Sequence, residues 1–394
     1  MTELPSTAGV VGAGTMGAGI AQLACLAGIE TRLHDPIAQA LERGAESVRA
    51  NLQKGADRGR WSQEDADAAA ERLDVAKTVE DLAGCEIVIE AAPERLDLKR
   101  DLFERLSEIC GPEAVLATNT SSIPVTRIAG AAAVPENVVG MHFFNPAPLM
   151  KLVEVIRALQ TGDRAVAVAR AVGETMGKHV VDATDSPGFL VNRCGRPFYS
   201  EAMRIVQERI AAHDRVDAIC RVGGGFRMGP FELMDMVGID VGYAVAQSFM
   251  ELSFGEPRWK PNPLQAQLAA SGRLGRKTGR GWYDYSDGPH RPDDGGTTLE
   301  ELEDGITTPG AVLHRMACCI VNEGAFALGE GVGSADDIDA GTKLGLNWPR
   351  GPFEWGREIG FDRVLATMDE LWEQYREERY RAAPLLRRGA VEES

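Results

Sequence analysis

The chain predicts a doubly wound α/β sheet followed by an all-α domain present in two copies, and three observations carry that prediction. From residue 8 to about 182, short apolar runs alternate with longer helix-patterned stretches, the signature of a mostly parallel sheet. After Pro187 the pattern becomes helical, broken by glycine clusters such as Gly223-Gly224-Gly225. Finally, the last segment repeats the middle one at a constant offset of 122 residues.

The apolar runs are Ala8–Val11, Thr31–Leu33, Ile87–Ala91, Val115–Thr118, Val138–Phe143 and Val180–Val181. Gln39–Arg72 is too long and too charged for one crossover helix, so helices projecting from the sheet are expected there. Asp185-Ser186-Pro187 reads as a helix entry, a capping side chain followed by a proline whose missing N–H costs nothing at that point. The expected boundaries are a nucleotide-binding domain over 1–185, a helical domain over 186–285, a polar, glycine-rich linker over 286–308 and a second helical domain over 309–394.

The repeat rests on several landmarks. Pro187-Gly188 matches Pro309-Gly310, Glu201 matches Glu323, and Asp217-Ala218 matches Asp339-Ala340. Gly229-Pro230-Phe231-Glu232 likewise matches Gly351-Pro352-Phe353-Glu354. Several matches at one offset indicate a duplicated unit. Arg193 is retained as Arg315, whereas Asn192 becomes His314.

A chain of 394 residues is long enough for two or three domains. Its net charge of −17 argues against polyanionic partners such as nucleic acid or a membrane surface. Seven scattered cysteines without C-x-x-C pairs suit reduced thiols in a cytoplasm. No secretory leader is evident, and no stretch reaches the ~20 consecutive apolar residues of a membrane span. A soluble cytoplasmic protein is therefore expected, and nothing points to a metal site.

Gly12-Ala13-Gly14-Thr15-Met16-Gly17 places G-x-G-x-x-G after a strand and at the head of an apolar helix. Such glycines allow a tight turn and close backbone approach to a pyrophosphate, the arrangement of a Rossmann-type domain. Asp35 follows the second strand, where a carboxylate binds ribose hydroxyls and repels a 2′-phosphate, so NAD is favoured over NADP. The bland alternative is a simple turn with Asp35 as a loop residue.

Three further stretches belong together: Asn119-Thr120-Ser121-Ser122, His142-Phe143-Phe144-Asn145-Pro146 and Lys151-Leu152-Val153-Glu154-Val155. Alcohol oxidation needs a base, and histidine titrates near neutrality. Glu154, twelve residues on and within an apolar run, is the candidate carboxylate partner. Read singly, His142 fits a structural residue, Glu154 a solvent-facing one and Ser121 a helix cap.

With Asp185-Ser186-Pro187-Gly188-Phe189-Leu190-Val191-Asn192-Arg193 and Lys277–Tyr283 added, the text from about 8 to 285 resembles the L-3-hydroxyacyl-CoA dehydrogenases of fatty-acid β-oxidation. The resemblance implies a Rossmann-type domain followed by all-α domains like those of 6-phosphogluconate dehydrogenase, NAD as cofactor, and an acyl-CoA substrate. It implies that His142 is the general base and Glu154 its acid partner, with Ser121 and Asn192 on the substrate's 3-oxygen. Glu94, Lys99, Asn119, Asn145 and Lys277 would line the cofactor beside Gly12, Gly14, Thr15, Met16, Gly17 and Asp35. Asn51, Lys54 and Arg58, spaced along one face of a helix, would meet coenzyme A, although a solvated face reads equally well. The family's helical domain commonly dimerises, so a homodimer is expected, with the second copy packing on the first as lid, scaffold or substitute for a partner's domain. Rival readings are a dehydrogenase of a free hydroxy acid, such as gulonate dehydrogenase, and a non-catalytic NAD-binding protein of the crystallin kind.

Overall fold

A computed structural model describes residues 4–290, 297–303 and 307–391. The segments 291–296 and 304–306 of the expected linker lie outside the described residues. The chain divides into two compact units, Met1–Phe189 and Leu190–Ser394.

The first unit contains β1 (Thr7–Val11), α1 (Thr15–Leu26), β2 (Glu30–His34), α2 (Ala38–Asp57), α3 (Gln63–Glu71), β3 (Leu73–Ala76), β4 (Ile87–Glu90), α4 (Leu96–Cys110), β5 (Val115–Thr118), α5 (Val125–Ala129), β6 (Val138–Phe143), β7 (Leu152–Arg157), α6 (Asp163–Thr175) and β8 (His179–Thr184). The strands form one sheet in the order β3-β2-β1-β4-β5-β6-β7-β8. Strands β1, β4, β5 and β6 are almost wholly buried, so they read as continuous apolar runs and not as alternating ones. The charged stretch before β3 is two helices, α2 and α3, and Ser62 opens α3 with a capping box to Asp65.

Two strands were not among the expected runs. Leu73–Ala76 is a four-residue edge strand whose Asp74 faces outward. Leu152–Arg157 forms β7, and it pairs antiparallel to β6 in an otherwise parallel sheet. That reversal puts His142 directly opposite Glu154.

The second unit is helical: α7 (Val191–Gln207), α8 (His213–Val222), α9 (Pro230–Val237), α10 (Ile239–Leu252), α11 (Pro263–Ala270), α12 (Pro309–Gly329), α13 (Ala335–Leu346), α14 (Pro352–Ile359), α15 (Phe361–Tyr375) and α16 (Pro384–Arg388). The 122-residue offset holds for three successive helices, so that α8, α9 and α10 start at 213, 230 and 239 and α13, α14 and α15 at 335, 352 and 361. Both copies lie within this one unit.

The landmark residues have a local reason for recurring. Asp217 accepts the Phe231 and Glu232 amides at the head of α9, both at 2.9 Å, and Asp339 accepts Phe353 and Glu354 at the head of α14, at 2.7 and 3.2 Å. Glu232 and Glu354 reach back to the amides of Gly229 and Gly351. A Cβ at either glycine would come within 2.3 Å of the aspartate. Burial pushes the carboxyls of Asp217 and Asp339 up, to about 7 and about 6.

The copies are joined by reciprocal ion pairs. Arg193 of the first meets Glu323 of the second at 2.9 Å, and Arg315 of the second meets Glu201 of the first at 2.5 Å. Residue i contacting j while the equivalent of j contacts the equivalent of i is the geometry of a two-fold, self-complementary interface. Helix α12, at its centre, is 21 residues long with a mean hydropathy of 1.2 over its most apolar window. By length and composition it is apolar enough to cross a membrane, although His314, Arg315, Asn322 and Glu323 interrupt it, and 72% of that window is buried inside the structure, as a core helix requires.

Candidate active site

The glycine turn sits at the carboxyl end of β1, where open α/β sheets expose their ligand-binding loops. Gly12 adopts φ +98°, and a Cβ there would lie 2.6 Å from the Ala91 carbonyl oxygen. At Gly17 a Cβ would lie 1.7 Å from the Gly12 carbonyl oxygen, whereas at Gly14 it would meet nothing within 4 Å. Gly14 therefore leaves a cradle over the head of α1, whose first turn has no side-chain cap, and the amides of Thr15 and Met16 face that opening as helix-terminal donors. Asp35 stands beside it: one carboxylate oxygen accepts from Ala13 N and the other from Ile37 N, both at 2.9 Å. These residues fit a dinucleotide, with the cradle for its pyrophosphate and Asp35 for a ribose.

His142 and Glu154 are joined across the β6–β7 ladder. Nδ1 lies 2.5 Å from Glu154 Oε2, the histidine is buried and the glutamate fully so. A carboxylate in that position can only accept, so it fixes the ring proton on Nδ1 and leaves the Nε2 lone pair for chemistry. Phe144 and Phe189 hold the ring at centroid distances of 4.6 and 5.8 Å.

The loop after β5 is tied down just as closely. Glu94 Oε1 accepts the amides of Ser121 and Ser122, both at 3.0 Å, and the hydroxyls of Thr120 and Ser122, at 2.6 and 2.9 Å. Burial pushes the Glu94 carboxyl up, but Lys99 and these donors outweigh it and hold it below the usual range. Lys99 is enclosed, 1% exposed, with Nζ 2.6 Å from Glu90 and 3.3 Å from Glu94. Lys99, expected to line the cofactor, therefore has its cation held beneath the loop that presents Ser121. Asn119 accepts the Phe143 amide on its side-chain oxygen at 2.8 Å, tying the ends of β5 and β6 together. Asn145 is exposed just beyond β6. Asn192 opens α7 in the second unit, and Lys277, also there, pairs with Asp240 at 2.6 Å.

Asn51, Lys54 and Arg58 line one cavity of about 290 Å³, walled by α1, α2 and the Pro146–Leu149 loop. Arg60 and Trp61, which the sequence reading missed, line it too. The signal was present as a basic–aromatic pair one residue beyond Arg58, after Gly59. Trp61 is pinned by a 2.8 Å bond from Nε1 to Leu52 O, and a Cβ at Gly55 would lie 1.8 Å from its ring. The lining carries three cations and no carboxylate.

The family model described as "3-hydroxyacyl-CoA dehydrogenase, NAD binding domain" matches residues 7–186. The model for the same enzymes' C-terminal domain matches twice, over 188–285 and 310–393. A 3-hydroxyadipyl-CoA dehydrogenase of Escherichia coli K12 is 37% identical over 98% of each chain. A probable 3-hydroxybutyryl-CoA dehydrogenase of Bacillus subtilis is 38% identical, covering 71% of this chain and 96% of its own. The crystal structure of a 3-hydroxybutyryl-CoA dehydrogenase from E. coli K12 superimposes with a TM-score of 0.92 at 35% identity, covering 99% of both chains. The chain therefore belongs to the 3-hydroxyacyl-CoA dehydrogenase family of NAD-dependent oxidoreductases.

Proposed function

We propose that the chain interconverts the 3-hydroxyl and 3-keto groups of a short acyl-CoA with His142 as the base, and the observation that carries this reading is the buried His142–Glu154 pair at the mouth of the cofactor domain. NAD supplies the hydride acceptor when bound, held by Gly12, Gly14, Thr15, Met16 and Gly17 at the pyrophosphate and by Asp35 at a ribose. In the oxidative direction the 3-hydroxyl proton passes to His142 Nε2, and Glu154 stabilises the imidazolium that results. Ser121 and Asn192 donate to the 3-oxygen, where negative charge gathers in the reverse reaction; one such donor is worth on the order of 3 kcal/mol. The Glu90–Lys99–Glu94 set keeps Ser121 in place.

Coenzyme A is anionic, and so is the protein. The cavity of Lys54, Arg58 and Arg60 supplies local cations for its phosphates, and Trp61 a face for its adenine. Two outcomes test the reading. Pure protein should oxidise NADH with a 3-oxoacyl-CoA and not with the free 3-oxo acid. Replacing Lys54 and Arg58 together by alanine should raise the KM for acyl-CoA about 10-fold or more, as loss of charged hydrogen bonds predicts, with kcat little altered. An unchanged KM would remove coenzyme A from this cavity, and activity on the free acid would favour the hydroxy-acid alternative.

A further inference from the structure

We propose that Arg196 reads the far end of the substrate and selects short 3-hydroxyacyl-CoA thioesters whose acyl chain ends in a carboxylate. This deepens the preceding reading and rests on its placement of Asn192 at the 3-oxygen. Asn192 and Arg196 are four residues apart on α7, on one face and about 6 Å apart at their Cβ atoms. In a six-carbon chain, three C–C bonds of about 1.5 Å separate C3 from the terminal carboxyl carbon. A guanidinium one turn beyond the residue that holds the 3-oxygen is therefore within reach of that carboxylate.

Arg196 is set apart from its neighbours on the helix. Arg193 pairs with Glu323 and Glu330, and Arg204 with Glu208 and Glu377. Among the described residues Arg196 has no carboxylate partner, in a chain where acidic residues outnumber basic ones 59 to 42. It is half-buried against the Phe249 ring, 5.4 Å from its centroid. Burial pushes its guanidinium down, to about 10, with Tyr199 opposing the shift. A partly desolvated cation without an anion is costly, and a ligand carboxylate would relieve that cost through the planar, two-pronged geometry arginine favours.

The duplication supplies an independent check. At the 122-residue offset Arg193 remains arginine, as Arg315, because it joins the two copies. Asn192 becomes His314 and Arg196 becomes Cys318, which is buried. The helical scaffold therefore does not need an arginine at this position. Both positions assigned to the substrate diverge in the second copy, and the packing position between them does not.

The test compares kcat/KM for two six-carbon 3-oxoacyl-CoAs, one ending in a carboxylate and one in a methyl group, with NADH. The wild type should prefer the carboxylated substrate, and Arg196→Met should lower that preference by about 10- to 100-fold, the range of a charged hydrogen bond. Arg196→Lys should retain part of it. A preference unchanged in Arg196→Met, or a parallel loss on both substrates together with a lower Tm, would overturn the assignment and leave Arg196 as packing for Phe249. A wild type that reduces both substrates equally would also overturn it while leaving the dehydrogenase reading intact, whereas a wild type that reduces neither would overturn that reading as well.

Discussion

Replacing His142 by glutamine is expected to lower kcat by about 10²- to 10⁴-fold, the usual contribution of a positioned general base, while NADH binding stays nearly unchanged. Glutamine is the informative choice because its amide can still donate to Glu154 at the place Nδ1 occupies. A leucine would remove the imidazole bond from a fully buried carboxylate and confuse chemistry with folding. Turnover measured by NADH absorbance and binding measured by NADH fluorescence separate the two effects. A glutamine variant within about 3-fold of the parent kcat would remove the base from His142 and send the search to another proton acceptor.

The largest expected effect on stability lies at Arg315. Its guanidinium holds Glu201 at 2.5 Å and Glu208 at 2.9 Å, with Tyr380 OH at 2.8 Å. Glu201 and Tyr380 are buried, so Arg315→Met leaves a carboxylate without its cation, at a cost of about 3–5 kcal/mol. For a unit of this size that is a fall in Tm of roughly 6–20 °C. The symmetric change Arg193→Met should cost less, because Glu323 keeps Arg258 at 2.9 Å. Calorimetry of the two variants measures the difference. Adding Glu201→Gln to Arg315→Met should recover most of the loss, since the stranded charge is then removed. Equal effects at the two arginines, or no recovery in the double variant, would show that the ion pair is not what joins the copies there.

Much of this was legible in the residues. The glycine turn, the strands after which it and the two candidate catalytic loops fall, and the duplication all come from local patterns that survive folding unchanged. What escaped was set by pairing partners. Leu152–Arg157 reads as an apolar run, and nothing local says that it turns back along β6, yet that reversal converts a twelve-residue separation into a 2.5 Å contact. Leu73–Ala76 is too short and too charged to stand out, and it becomes a strand because β2 offers it an edge. The burial of Lys99 was legible: it shares a helical stripe with Phe103 and Leu106, and all three are buried. Arg60 and Trp61 follow Arg58 in the chain, but only the fold brings them to the same cavity.

The reciprocal Arg–Glu pairs have an evolutionary consequence. In a homodimer each substitution occurs twice, once in each subunit, and any asymmetry is forbidden. Here the two partners are segments of one polypeptide, so they meet at the high effective concentration a tether provides and do not depend on how dilute the protein becomes. They are also free to specialise. One half carries Asn192, Arg221 and Asp235, while the other carries His314, Lys343 and Arg357 at the same positions, a difference that a pair of identical chains could never encode.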